Sequence, residues 1–386
     1  MFQVTAPEWL RWAALACGVV LVVGTALGVG KVLVVPRRVR TKLALMDHAI
    51  RRGFLFVADR IEDYDAKDRV LAYQGPATVL MLLVVWMVTF WVGYALILWP
   101  LIDASLFMAF RESGSSMLTL GIASSERAGP TFVNFLAAAT GLVVIALLIG
   151  YLPTIYAAFN RRERLVTMLQ SRAGVPAYGP EILWRHQLGG RIDALPDLYA
   201  DWEQWAADVA ESHTNYPVLI HFRSPHPLRS WIVGLTAVMD SAAMYLALCP
   251  DSAPTQARLC LRMGFVCLRE IADAIGIPYD PDPYPDDPIE LTYEEFLAGV
   301  ARMQGFPIER PPEEAWPHFV GWRTNYEAIA YAVADWVAAP PGPWTGPRRH
   351  LPGMAFVPQR PANRIATDPA AKDQPKIDTS EWRSRG

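Results

Sequence analysis

Three long apolar runs, at about residues 10–35, 76–100 and 131–159, constrain this chain more than any other feature. Each is long enough to cross the hydrocarbon core of a bilayer as a helix, which takes about 20 mostly apolar residues. They account for a hydrophobic content of 52%, which is high for a soluble protein and is localised rather than spread. The expected class is therefore an all-α membrane protein with three transmembrane helices and a soluble part. The first run, in segment 1–35, reads as a retained anchor: it is longer than a signal sequence, only Arg11 precedes it, and no small-residue cleavage pattern follows. Its Gly24 and Gly28 have the spacing that lets two helices approach closely. Trp9, Trp12, Trp86, Trp91 and Trp99 include several near the ends of runs, where indole rings favour the headgroup layer.

Loop charge sets the orientation. Segment 36–75, a basic and amphipathic linker, carries Arg37, Arg38, Arg40, Lys42, Arg51, Arg52, Arg60, Lys67 and Arg69, and the third run leads into Arg161, Arg162 and Arg164. The connection 101–130 holds only Arg111 and Arg127. Because basic loops stay in the cytoplasm, the N-terminus and 101–130 are expected outside, and the linker and C-terminal half inside.

Beyond Arg164 the chain turns amphipathic. Leu198, Trp202, Trp205 and Val209 share a helical face, as do Trp231, Leu235, Val238 and Leu246, and then Ile329, Val333, Trp336 and Val337. This predicts a cytoplasmic helical domain over 161–338, with five to seven helices from about 165, and no strand. The Pro-rich stretch 339–386 is expected to be a disordered tail. A net charge of −3 without a basic stripe argues against a nucleic-acid partner. Cys17, Cys249, Cys260 and Cys267 form no C-x-x-C pair, so neither zinc nor a disulfide is expected. No nucleophile triad, phosphate loop or dinucleotide fingerprint is present, and the chain is expected to be neither an enzyme nor a cofactor protein.

The connection between the second and third runs, "LIDASLFMAFRESGSSMLTLGIASSERAGP", has a helical first half at about 105–118, too short to cross a bilayer, and then small residues. A short apolar helix between two spans fits a re-entrant loop, whose non-helical backbone is tolerated at membrane depth only when it is buried in protein or lines water. Thr119, Leu120, Gly121, Ile122 and Ala123 follow it.

This stretch resembles the pore loop of the potassium-channel superfamily, where a short pore helix leads into a T-V-G-Y-G filter. It is most similar to bacterial proteins loosely called two-pore-domain or ion-channel family members. The resemblance covers 76–165 and implies a pore domain over 76–160 made of outer helix, pore helix, filter and inner helix. It implies that the backbone oxygens of residues 119–122, with the Thr119 hydroxyl, replace the hydration shell of a permeant cation, with K+ the expected ion. It also implies a homotetramer, since each chain supplies one loop. Gly141 would be an inner-helix hinge and Pro153 a bend, with a gate near Ile155, Tyr156 and Phe159. The sequence departs from the family at Leu118, Ile122, Ala123 and Ser124, where threonine, tyrosine, glycine and aspartate are usual; cation conduction is implied more firmly than strict potassium selectivity. The helical domain would regulate, assemble or recruit, through an unidentified cytoplasmic ligand or protein. The alternative reading is a non-conducting membrane-anchored scaffold or sensor whose helical domain binds a partner.

Other clusters have bland readings beside sharp ones. Arg111 and Glu112 either pair behind the loop or are solvated, and Glu126 with Arg127 sits near the expected outer mouth. His213, His221 and His226 lack metal-ligand spacing, and Arg223 and Arg229 could meet an anion or a lipid headgroup. Segment 280–295 offers Asp280, Asp282, Asp286, Asp287, Glu290, Glu294 and Glu295, but its prolines favour a rigid acidic linker over a Ca2+ loop. Asp240, within an apolar run, reads as a paired buried carboxylate.

Overall fold

The computed structural model describes residues 7–33 and 43–346. Arg37, Arg38, Arg40 and Lys42, and the tail from 347 to 386, lie outside the described residues. Thirteen α-helices run in order along the described residues: α1 Glu8–Leu33, α2 Leu43–Ala58, α3 Tyr64–Ala72, α4 Gln74–Leu98, α5 Leu106–Met117, α6 Ala128–Ala173, α7 Gly179–Leu188, α8 Leu195–Asn215, α9 Trp231–Leu248, α10 Thr255–Ile275, α11 Tyr293–Arg302, α12 Pro312–Arg323 and α13 Glu327–Trp336. No strand occurs among the described residues, as expected for an all-α chain. The chain divides into two compact units: Met1–Asn160 with Ser212–Phe222, and Arg161–Glu211 with Arg223–Gly386.

The first unit is built on α1 and α4. They meet tightly at two glycines: a Cβ on Gly18 would lie 2.5 Å from the Gly93 carbonyl oxygen, and one on Gly93 would lie 2.8 Å from Val22. Gly24 and Gly28, singled out by spacing, face open space instead. Near the start of α1, Arg11 donates to the carbonyls of Trp99 and Ile102, at 2.7 and 2.6 Å, so a cation meets the C-terminal end of α4. The two helices therefore run antiparallel. Between α2 and α4, Asp63 caps α3 by accepting from the Ala66 amide. Helix α6 continues well past the expected end at 159, with Pro153 inside it, because "RRERLVTMLQSRA" is a good polar helix former.

An unforeseen feature is the return of Ser212–Phe222 to this unit. The 3-10 turn Pro217–His221 and Phe222 pack Leu219 and Phe222 among Val79, Leu148, Tyr151, Ile155 and Ala158. Gln74 Nε2 and His221 Nδ1 are hydrogen-bonded at 2.8 Å, and a Cβ on Gly75 would strike the Phe222 ring at 2.5 Å.

In the second unit α9 is enclosed on every side, with α7, α10, α12 and α13 packed against it. By length and composition four helices could cross a membrane: those at Glu8–Val32, Tyr64–Leu98, Ala128–Ala173 and Trp231–Leu248. The last differs in kind, because it is buried by protein. A helix apolar all round fits a protein core as well as a bilayer. Asp240 at its centre is ion-paired to Arg323 and accepts from the Tyr326 hydroxyl at 2.7 Å. Arg323 also donates to Glu327 at 2.7 Å, to the Tyr331 hydroxyl at 2.8 Å and to the Trp344 carbonyl at 2.9 Å. Residues 339–346 thus belong to the core rather than to a disordered tail, with Ala339, Trp344 and Thr345 buried.

Candidate functional site

The site is the end of α5 and the loop after it. Helix α5 lies along α4: Trp91 Nε1 donates to the Phe110 carbonyl at 2.8 Å, and the Ser113 hydroxyl to the Trp91 carbonyl at 3.0 Å. Its far end reaches α6, where a Cβ on Gly141 would lie 2.1 Å from the Met117 carbonyl oxygen. Gly141 is thirteen residues into α6, about 20 Å along the axis at 1.5 Å per residue. So α5 begins just after α4 ends and finishes deep along α6, level with the middle of its apolar stretch. Tyr94 ties α4 to the same region of α6, bonding the Thr140 hydroxyl at 2.7 Å.

Helix α5 closes with paired reverse bonds. The Leu120 amide donates to Ser115 O at 2.8 Å and the Thr119 amide to Ser116 O at 3.0 Å, with Thr119 left-handed at φ 55°. This is a Schellman cap, whose left-handed position glycine usually fills. A β-branched residue there is a backbone outlier, strained by about 1–2 kcal/mol. Two residues on, Gly121 is left-handed at φ 67° with open space around its missing Cβ. Left-handed backbone thus recurs at alternate residues.

The following amides turn back to α5 side chains. Ser115 Oγ accepts from Ile122 and Ala123, at 2.9 and 3.0 Å. Glu112 Oε1 accepts from the Ser125 amide at 2.9 Å and from Asn134 Nδ2 at 2.7 Å. In a trans peptide the carbonyl points opposite to the N–H of the next residue, and the one cis bond among the described residues is Val175-Pro176. The carbonyls of Thr119, Gly121, Ile122 and Ser124 therefore point away from α5. The residues presenting them are on the surface of the chain: Leu118, Thr119, Leu120, Gly121 and Ile122 are exposed and Ala123 is half-buried. Carbonyl oxygens, one threonine hydroxyl and the C-terminal end of a helix dipole all favour a dehydrated cation.

The other residues picked from sequence fare unevenly. Gly141 sits at the close contact between α6 and the end of α5. Pro153 and Tyr156 are on the exposed side of α6, with Tyr156 edge-on to Phe222 at 5.9 Å. Phe159 is half-buried against Phe222 at 5.7 Å, and Ile155 is fully buried. Arg111 is exposed while Glu112 is buried, and Glu112 pairs with Asn134 rather than with its neighbour. Arg127 forms an exposed ion pair with Asp103.

Ser115 and Asn134 were not anticipated. Both left a trace: Glu112 and Ser115 are three apart on one helix face, and Asn134 is a lone amide in an apolar run. Elsewhere, His213 and His221 are buried and His226 is exposed, and no group of three or more metal-ligating side chains occurs among the described residues. In the acidic segment, Asp280 and Asp287 accept from the backbone amides of Asp282 and Tyr284, and Glu295 completes a capping box with Thr292 on α11. These carboxylates cap turns.

Compared with protein-family models, curated proteins and solved structures, the chain matches none. The functional reading therefore rests on the chain's own geometry.

Proposed function

We propose that the chain is one subunit of a membrane cation channel of the potassium-channel type, conducting between copies of the loop 119–123. The observation that carries this is the loop's polarity: amides tied back to Ser115 and Glu112, and carbonyls of Thr119, Gly121 and Ile122 turned outward. One chain offers a single arc of oxygens. Closure around an ion needs further copies about an axis, and cyclic symmetry is the ordinary way to supply them. A homotetramer fits the one loop per chain, and it would cover Leu118, Leu120 and Ile122, which are exposed in the single chain.

In this reading α1, α4 and the apolar part of α6 span the bilayer, and α5 with its loop dips in and returns to the same side. The N-terminus is outside and the helical unit cytoplasmic, where it regulates or assembles the pore. Selectivity is cationic, with K+ the expected permeant ion, and transport proceeds by dehydration at stacked carbonyls and mutual repulsion of ions.

The competing reading is a non-conducting membrane-anchored scaffold. It is favoured by one observation: a Schellman cap accounts for the left-handed Thr119 without any ion. A potassium flux assay on proteoliposomes separates the two. Potassium flux above that of empty vesicles before valinomycin is added is expected for a channel; flux equal to empty vesicles, with valinomycin releasing potassium from both, supports the scaffold.

A further inference from the structure

Glu112 is a buried carboxylate whose partners are both neutral donors. It is 7% exposed, and one oxygen takes the Ser125 amide and the Asn134 side chain. Among the described residues it makes no ion pair; the basic side chain nearest in sequence, Arg111, is exposed, and Arg127 is engaged by Asp103. Asn134 adds a second acceptor, because its Oδ1 is buried without a hydrogen-bond partner. Burying a carboxylate without a counter-ion is costly, and its two hydrogen bonds offset part of that cost. Here it lies directly behind the outer half of the loop, on the side opposite the outward carbonyls. Low-dielectric surroundings screen it little, so its field reaches the loop.

We propose that Glu112 is the charge that makes this loop discriminate cations from anions, and that its bonds to Ser125 and Asn134 hold the loop's outer half in place. The inference rests on the conducting reading. The two roles are separable by chemistry: Glu112→Gln keeps an acceptor oxygen and removes the charge, while Glu112→Ala removes both. Ser125 is the natural reporter, since its amide has Glu112 as partner.

The test uses the full chain in liposomes, with hydrogen exchange across 119–128 and reversal potentials in a KCl gradient. Glu112→Gln is expected to keep wild-type protection at Ser125 while its K+ over Cl− permeability ratio falls several-fold. Glu112→Ala should lose protection at Ser125 by about tenfold or more, as for a broken bond to a charged acceptor, and lose current. Wild-type selectivity in Glu112→Gln overturns the charge role. Wild-type protection in Glu112→Ala overturns the bracing role. A wild-type protein without current overturns the channel reading and the charge role with it, while the exchange data still decide the bracing.

Discussion

Substituting Gly141 by alanine tests how the loop is held. The added Cβ would sit 2.1 Å from the Met117 carbonyl oxygen and 3.1 Å from its carbon, both backbone atoms that no rotamer change can move aside. Relief to an ordinary contact requires a shift of about 1 Å between α5 and α6. Forced overpacking typically costs about 1–3 kcal/mol, while glycine to alanine within a helix returns at most about 1 kcal/mol. A net loss of about 1–2 kcal/mol follows, together with displacement of residues 118–123. Gly150→Ala is the control, since nothing lies within 4 Å of that position, and it should be neutral to mildly stabilising. Unfolding of the first unit, which holds Gly141 and Gly150, can be followed by loss of helical circular dichroism on heating in detergent, and that of the second with a thiol-reactive dye, because Cys260 and Cys267 are fully enclosed and burial pushes both thiols upward. Gly141→Ala should melt lower and conduct less than Gly150→Ala. Equal melting and equal flux in the two variants would refute the packing argument. Loss of flux in Gly150→Ala alone would likewise refute it.

Thr119→Gly relieves the left-handed strain at φ 55° and should stabilise the fold by about 1 kcal/mol, yet it removes the hydroxyl and should reduce flux, while Thr119→Ser keeps flux; a melt and a flux assay on both variants check this. Arg323→Met leaves Asp240 and Glu327 buried without their cation and should destabilise the second unit by about 3–5 kcal/mol, read as early dye labelling of Cys260; adding Asp240→Asn should recover part of the loss. Burial holds His186 below the ordinary imidazole range, with its Nδ1 on the Ile182 carbonyl at 2.7 Å. The unfolded chain then takes up a proton below about pH 6.5 that the folded one resists, so stability should fall as pH drops through that value and stay flat above it. His186→Leu should show a smaller melting difference between pH 7.5 and pH 5.5 than the wild type.

The long apolar helices were legible because such runs stand out in the sequence, and α1 and α4 begin within two residues of where those runs do. The extent of α6 was not, since its polar continuation obeys helix propensity rather than hydropathy. Helix α9 is the converse case: its composition alone reads as a span, and only Asp240, with Arg323 far along the chain, marks it as a protein core. Close approaches were the least visible. Gly24 and Gly28 have the recognised spacing and touch nothing, whereas Gly18 and Gly93 belong to different helices and no local pattern joins them. The same holds for Phe222 on Gly75 and for Trp344, which looked like part of a Pro-rich tail until its partners Tyr178 and Phe319 were in place. At the loop, the order of residues exposed Thr119 and Gly121, but the direction of each carbonyl depends on where Ser115 and Glu112 catch the amides.

The most direct test of conduction by this loop is a planar-bilayer recording of the purified full chain under opposed potassium and sodium gradients, with Gly121→Asp alongside. The expected result is discrete single-channel current in the wild type, with a reversal potential toward that of potassium, and none in the variant. Silence in both proteins, or the same current in both, would contradict the account.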